Sequence, residues 1–216
     1  MKKSLLGFMA VAMAAFGMVG PASGGVEVLE FNTHFADGTP PSGSGPWITA
    51  TFTDTGVNQV GLSIVSHLLV PAEHIKEISF NFDPSLVLSG LIFNQTLDGG
   101  PTASVSTGED FFHEDGSFGY DIQLTWATNS FGLSNPEANF VLSGPIGLAA
   151  ASFHFMNLGP SSKKFFGAAH IGGTGINGED SDFVGAESIP LPQTWLLLAC
   201  GLVLVPVVRR RFGVAT

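Results

Sequence analysis

Cysteine is almost missing from this sequence: the chain has 216 residues and one cysteine, Cys200, near its C-terminus. That excludes a disulfide and a thiolate metal site from everything upstream. Positive charge is nearly as scarce. Of eight basic residues, Lys2 and Lys3 open the chain and Arg209, Arg210 and Arg211 stand near its end. Between them only Lys76, Lys163 and Lys164 face eighteen acids, a net charge near −15. A surface of that sign repels phosphate backbones, so nucleic acid is disfavoured as a partner. Catalytic signatures are also lacking. There is no Gly-x-Ser-x-Gly elbow, no His-Glu-x-x-His pair and no Lys-Ser/Thr end to any glycine-rich loop.

The two ends of the chain do carry long apolar runs. Lys2 and Lys3 precede an uncharged run from Leu5 to Val19, and Pro21-Ala22-Ser23-Gly24 supplies a break and small residues. This is the three-part layout of a secretory signal peptide over residues 1–24, read by signal peptidase. Near the other end, Ile189-Pro190-Leu191-Pro192 breaks the chain, Trp195 to Val208 is apolar, and Arg209-Arg210-Arg211 follows at once. As a helix that run reaches about 21 Å, against a hydrocarbon core of about 30 Å. The sequence predicts a single hydrophobic helix with its arginines on the cytoplasmic side and the body outside. Three arginines cannot follow such a run into a protein core.

Proline motif, short hydrophobic segment and arginine cluster, in that order, resemble the PEP-CTERM sorting signal of Gram-negative bacteria. Ile189, Pro190, Leu191 and Pro192 are similar to its Val-Pro-Leu-Pro variant, with isoleucine for valine and no glutamate. The resemblance covers the tail, residues 187–216. It implies recognition by an exosortase, a transient stay in the inner membrane and a host that makes extracellular polysaccharide. Ala50-Thr51-Phe52-Thr53-Asp54, Ile78 to Pro84 and Ala168 to Gly173 also resemble the ectodomain of one PEP-CTERM subgroup, which implies class and location and no activity.

The intervening body, residues 25–186, reads as all-β. Aromatic and β-branched residues alternate with polar ones between turn-forming clusters. Ile48, Ala50 and Phe52 share a face, as do Val60, Leu62 and Ile64, then Ile78, Phe80 and Phe82. The longest alternation is Phe118, Tyr120, Ile122, Leu124 and Trp126. Val26 to Phe31 predicts the first strand; Leu86 with Leu88 and Phe153 with Phe155 predict shorter ones. Turns such as Asp54-Thr55-Gly56, Asp83-Pro84 and Asn135-Pro136 separate them. The expected architecture is an antiparallel β-sandwich, jelly-roll-like, with Trp126 in its core and Trp47 at a rim.

Two stretches invite a chemical reading. Glu109-Asp110 and His113-Glu114-Asp115 are the densest ionisable cluster, expected on one surface loop. A glycosidase needs two carboxylates across a sugar, which such a loop can offer, although loop acids ordinarily face water. Gly172 to Asp182 is glycine-rich and then acidic. Asn177, Glu179, Asp180 and Asp182 are the calcium candidates, against a solvated linker into the tail; EF-hand spacing is absent. The histidines, His34, His67, His74, His113, His154 and His170, show no metal-binding spacing. No catalytic set, metal or cofactor is assigned. The expectation is an exported cell-surface or matrix protein, a non-enzymatic module associated with extracellular polysaccharide. The alternatives are a secreted glycan hydrolase and a calcium-stabilised adhesion module.

Overall fold

The computed structural model describes residues 25–96, 100–115, 117–127, 130–158 and 163–188. The signal-peptide segment, Ile189 to Pro192 and Arg209 to Arg211 lie outside the described residues. Among the described residues no helix is long and apolar enough to cross a membrane.

Ten strands carry the fold: β1 Val26–His34, β2 Ile48–Gly56, β3 Gln59–Ser66, β4 His74–Phe80, β5 Ile92–Gln95, β6 Ala103–Glu114, β7 Ser117–Trp126, β8 Glu137–Ser143, β9 Gly167–Thr174 and β10 Asp180–Ser188. Every pairing is antiparallel, and the strands form one sheet in the order β5-β8-β3-β2-β1-β10-β9-β4-β7-β6. Alternation explains the strands. Along β2, Ile48, Ala50 and Phe52 are fully buried while Thr49, Thr51 and Thr53 point away. Along β3 and β8, Val60, Leu62, Ile64, Ala138, Phe140 and Leu142 do the same.

The sheet bends so that its halves stack. Phe80 on β4 meets Phe52 on β2 edge to face at 5.3 Å and Phe31 on β1 at 6.2 Å, although other strands lie between β2 and β4 in the sheet. Burying a large apolar side chain there is worth about 1.5–3 kcal/mol before chain entropy is counted. The two edges nearly close. Gln95 at the end of β5 donates from Nε2 to the Pro101 carbonyl at 2.6 Å and accepts the Ala103 N–H of β6 at 3.0 Å. One amide side chain thus bridges the edges as a short piece of strand would.

Several local expectations are corrected. Phe153 and Phe155 form no strand: residues Ala150–Phe153 make a 3-10 turn. Asp54 accepts the Ala150 N–H at 2.6 Å, and Phe153 then stacks on Phe52 at 4.1 Å, so its ring plugs the core from a loop. Leu86 and Leu88 form none either. Asp83 takes the Ser85 N–H and starts a turn that runs into a 3-10 turn at Leu88–Gly90. Trp47 is not at the rim; it is buried, with its indole N–H donated to the Ser42 carbonyl. Trp126 is in the core as expected. Gly172 to Asp182 is no linker but the end of β9, its turn and the start of β10.

Candidate functional site

The acidic cluster expected on one loop lies instead along β6, and the strand parts it. Between Thr107, opposite Ile122, and Phe112, opposite Tyr120, β6 carries more residues than β7 can pair. The four residues Gly108 to Phe111 stand against Asp121 alone, and they end strict alternation, as bulges do. Asp110 sits there at φ 48, a left-handed conformation that aspartate tolerates better than most residues.

Asp121 on β7 braces this bulge. One carboxyl oxygen accepts the Asp110 N–H at 2.8 Å, and the other accepts the Phe82 N–H just past β4 at 2.8 Å. Partial burial pushes the Asp121 carboxyl above the usual range. The two N–H bonds oppose that rise, and the charges of Asp110 and Glu109 add to it. Gly119 makes the close approach possible. Its φ is +82, and a Cβ there would come within 2.9 Å of the Asp110 carboxylate and 3.3 Å of Leu158.

A cavity of about 350 Å³ opens beside this brace. Its lining includes the acids Asp83, Glu109, Asp110 and Asp121 and the apolar side chains Phe82, Leu86, Phe155, Met156 and Leu158. Met156 and Leu158 remain 53% and 73% exposed, unusual for large apolar side chains lining one cleft. Among the described residues no lysine, arginine or histidine lines it, and the ion pairs there involve none of its acids. The arrangement is a set of hydrogen-bond acceptors, two of them exposed and ionisable, in one cavity with hydrocarbon side chains.

The remaining cluster residues go elsewhere. His113 is exposed at the far end of the bulge. Glu114 is buried, 1% exposed, where it accepts Ser79 at 2.6 Å and Gln123 at 3.2 Å. Burial pushes its carboxyl up to about 7; the Ser79 bond pulls down and the nearby Glu77 charge pushes up. Glu77 in turn is held below its ordinary value, chiefly by His170 at 3.4 Å. Asp115 pairs with Lys163, 3.4 Å away.

The calcium candidates do not share a site. Asn177 and Glu179 are exposed, while Asp180 accepts the Thr39 N–H at 2.9 Å and so ties the β9–β10 turn to the loop after β1. Asp182 is fully buried with His34 3.7 Å away, and burial raises its carboxyl. Among the described residues no group of three or more His, Cys, Asp or Glu side chains converges as a metal-binding set. The histidines are dispersed: His67 meets Thr49, His74 the Ala72 carbonyl, and His154 approaches Glu27 to 2.7 Å.

Asp121 escapes a reading of the sequence because it looks like any outward polar residue in an alternating strand. Its signal is the neighbouring strand, where Gly108-Glu109-Asp110 breaks alternation and β6 loses its pairing with β7.

No family model and no curated protein matches the sequence. Among solved structures, the endoglucanase CelQ from Clostridium thermocellum complexed with cellotetraose aligns with 73% of this chain and 22% of its own, at 14% identity and TM-score 0.27. The same enzyme complexed with cellotriose aligns with 79% and 25%, at 13% identity and TM-score 0.28. The chain therefore spans about a quarter or less of that enzyme's length. Superposition this loose carries neither a fold assignment nor a function.

Proposed function

We propose that this protein is an exported surface or matrix module that binds extracellular polysaccharide without cleaving it, in the cleft at the β6 bulge. The observation that carries the reading is the cleft itself: acids with no cation among the described residues to neutralise them share it with exposed Met156 and Leu158. Sugars present that pair of surfaces, hydroxyl donors around a ring edge and C–H groups on its faces. Binding is favoured over hydrolysis because the carboxyl with raised proton affinity, Asp121, already accepts a backbone N–H on each oxygen. That makes it a brace rather than a proton donor. Export rests on the signal-peptide layout of residues 1–24. The exosortase substrate reading rests on Ile189 to Pro192 with Arg209 to Arg211, and it gives the inner membrane a transient role before release to the surface.

The test is affinity electrophoresis of the full-length protein in gels containing the host's extracellular polysaccharide. Retardation that Glu109→Gln reduces is expected. Equal mobility with and without polysaccharide ends the binding reading, and release of reducing ends would replace it with hydrolysis. Mass spectrometry of the protein recovered from its host should find the leader and Arg209 to Arg211 removed; their retention ends the sorting reading.

A further inference from the structure

We infer that the cleft selects a glycan bearing free amines, a polymer of protonated amino sugars, over neutral or anionic ones. This deepens the polysaccharide reading and rests on it. The first support is charge complementarity. Glu109 and Asp110 are exposed on the bulge, Asp121 braces them, and among the described residues no cation lines the cavity. Lys163, one of three lysines in the body, is engaged outside the cleft, donating to the Asp115 carbonyl at 2.7 Å. A neutral hydroxyl would leave these charges uncompensated, and a uronate would be repelled by them. An ammonium satisfies them with hydrogen bonds about twice as strong as neutral ones.

The second support is geometric. The acids share the cleft with hydrocarbon side chains: Phe155 is half-buried there, and Met156 and Leu158 are open to water. A small inorganic cation would leave those side chains bare. A pyranose ring carrying its amine at the rim covers them with a C–H face and turns the ammonium toward Glu109 and Asp110.

The experiment is calorimetric titration of the full-length protein at about pH 5.5 and low salt, where amines are protonated and ordinary carboxylates ionised. The probes are a glucosamine oligomer, its fully N-acetylated counterpart, a neutral glucose oligomer of equal length and an oligolysine. Binding to the glucosamine oligomer at least about tenfold tighter than to the acetylated one is expected, a gap of about 1.4 kcal/mol. Glu109→Gln and Asp110→Asn should each weaken it severalfold; asparagine tolerates the left-handed backbone at position 110. Glu179→Gln, an exposed acid on the β9–β10 turn, should leave it unchanged. Melting temperatures confirm that the variants fold. Equal affinity for the acetylated or neutral oligomer overturns amine selection while leaving polysaccharide binding in place. Equal affinity for oligolysine overturns recognition of the sugar. If no oligomer binds, amine selection falls, and the host-polysaccharide gel decides separately whether the polysaccharide reading falls with it.

Discussion

Glu114 and Asp121 both belong to the β6–β7 hairpin, and burial raises the proton affinity of each, yet their roles differ. Asp121 holds two backbone N–H groups and shapes the cleft. Glu114 is held by Ser79 and Gln123 beside Glu77, with no part in the cleft, and shapes the pH dependence of stability. Its carboxyl rises from 4.5 unfolded to about 7 folded, so the folded state holds the extra proton between those values. The stability this contributes is complete below pH 4.5 and is lost as pH rises through about 7. Glu77 has the opposite sign: its lowered carboxyl contributes above its unfolded value and loses that contribution in acid. Glu114→Gln should keep the Ser79 and Gln123 bonds and remove the buried charge. We expect it to stabilise the protein by about 1–3 kcal/mol at pH 8 and to change little at pH 4. Urea unfolding of both proteins at the two pH values checks this, and equal loss at both would contradict it.

Single elements act through their edges and irregularities. A regular β6 would have pointed alternate acids into solvent and left no cleft. The bulge collects Glu109 and Asp110 on one side and lets Phe112 and Glu114 resume burial beyond it. At the other end of β6, Gln95 joins the two sheet edges that would otherwise stand open. Gln95→Ala removes both bridging bonds, leaving the Ala103 N–H without this partner and the Pro101 carbonyl with only the Trp126 indole N–H. Destabilisation of about 1–2 kcal/mol is expected, seen as a lower urea midpoint at unchanged slope. Hydrogen exchange should accelerate at Ala103 and not in β2. The register of such edges was not legible beforehand, because side-chain bridging depends on where the sheet ends after bending. The strands themselves were legible: Ile48-Ala50-Phe52 and Val60-Leu62-Ile64 alternate cleanly. Phe153 misled because its alternation with Phe155 mimics a strand, whereas its ring is drawn from a loop to Phe52.

Over the whole molecule, eighteen acids and three lysines share one domain. Self-repulsion of this size destabilises the compact state and is screened by salt, over about 10 Å at 0.1 M. Added sodium chloride at pH 8 should therefore raise the melting temperature by about 2–4 °C from its low-salt value. A flat or falling curve would show that local pairing already cancels the repulsion. The same field draws cations toward the cleft, so association with an amine-bearing glycan should slow as salt rises while the fold gains stability. Opposite responses of binding and stability to one variable separate a charge-selective site from general loosening of the domain.

Composition and periodicity alone determined the all-β class, the acidic surface, most core residues and the division of the chain into two apolar ends and a body. Those properties are additive or strictly periodic along the chain, so local sequence suffices to specify them. Only the folded arrangement decided that Glu109 and Asp110 join Asp121 and Asp83, that Glu114 is buried away from them, and that Asp180 ties down a loop. Each of these depends on strand register, and register is set when distant strands meet: a slip of one residue turns every side chain to the other face. The bulge in β6 is such a slip, localised and braced, and it turned a run of acids into a cleft.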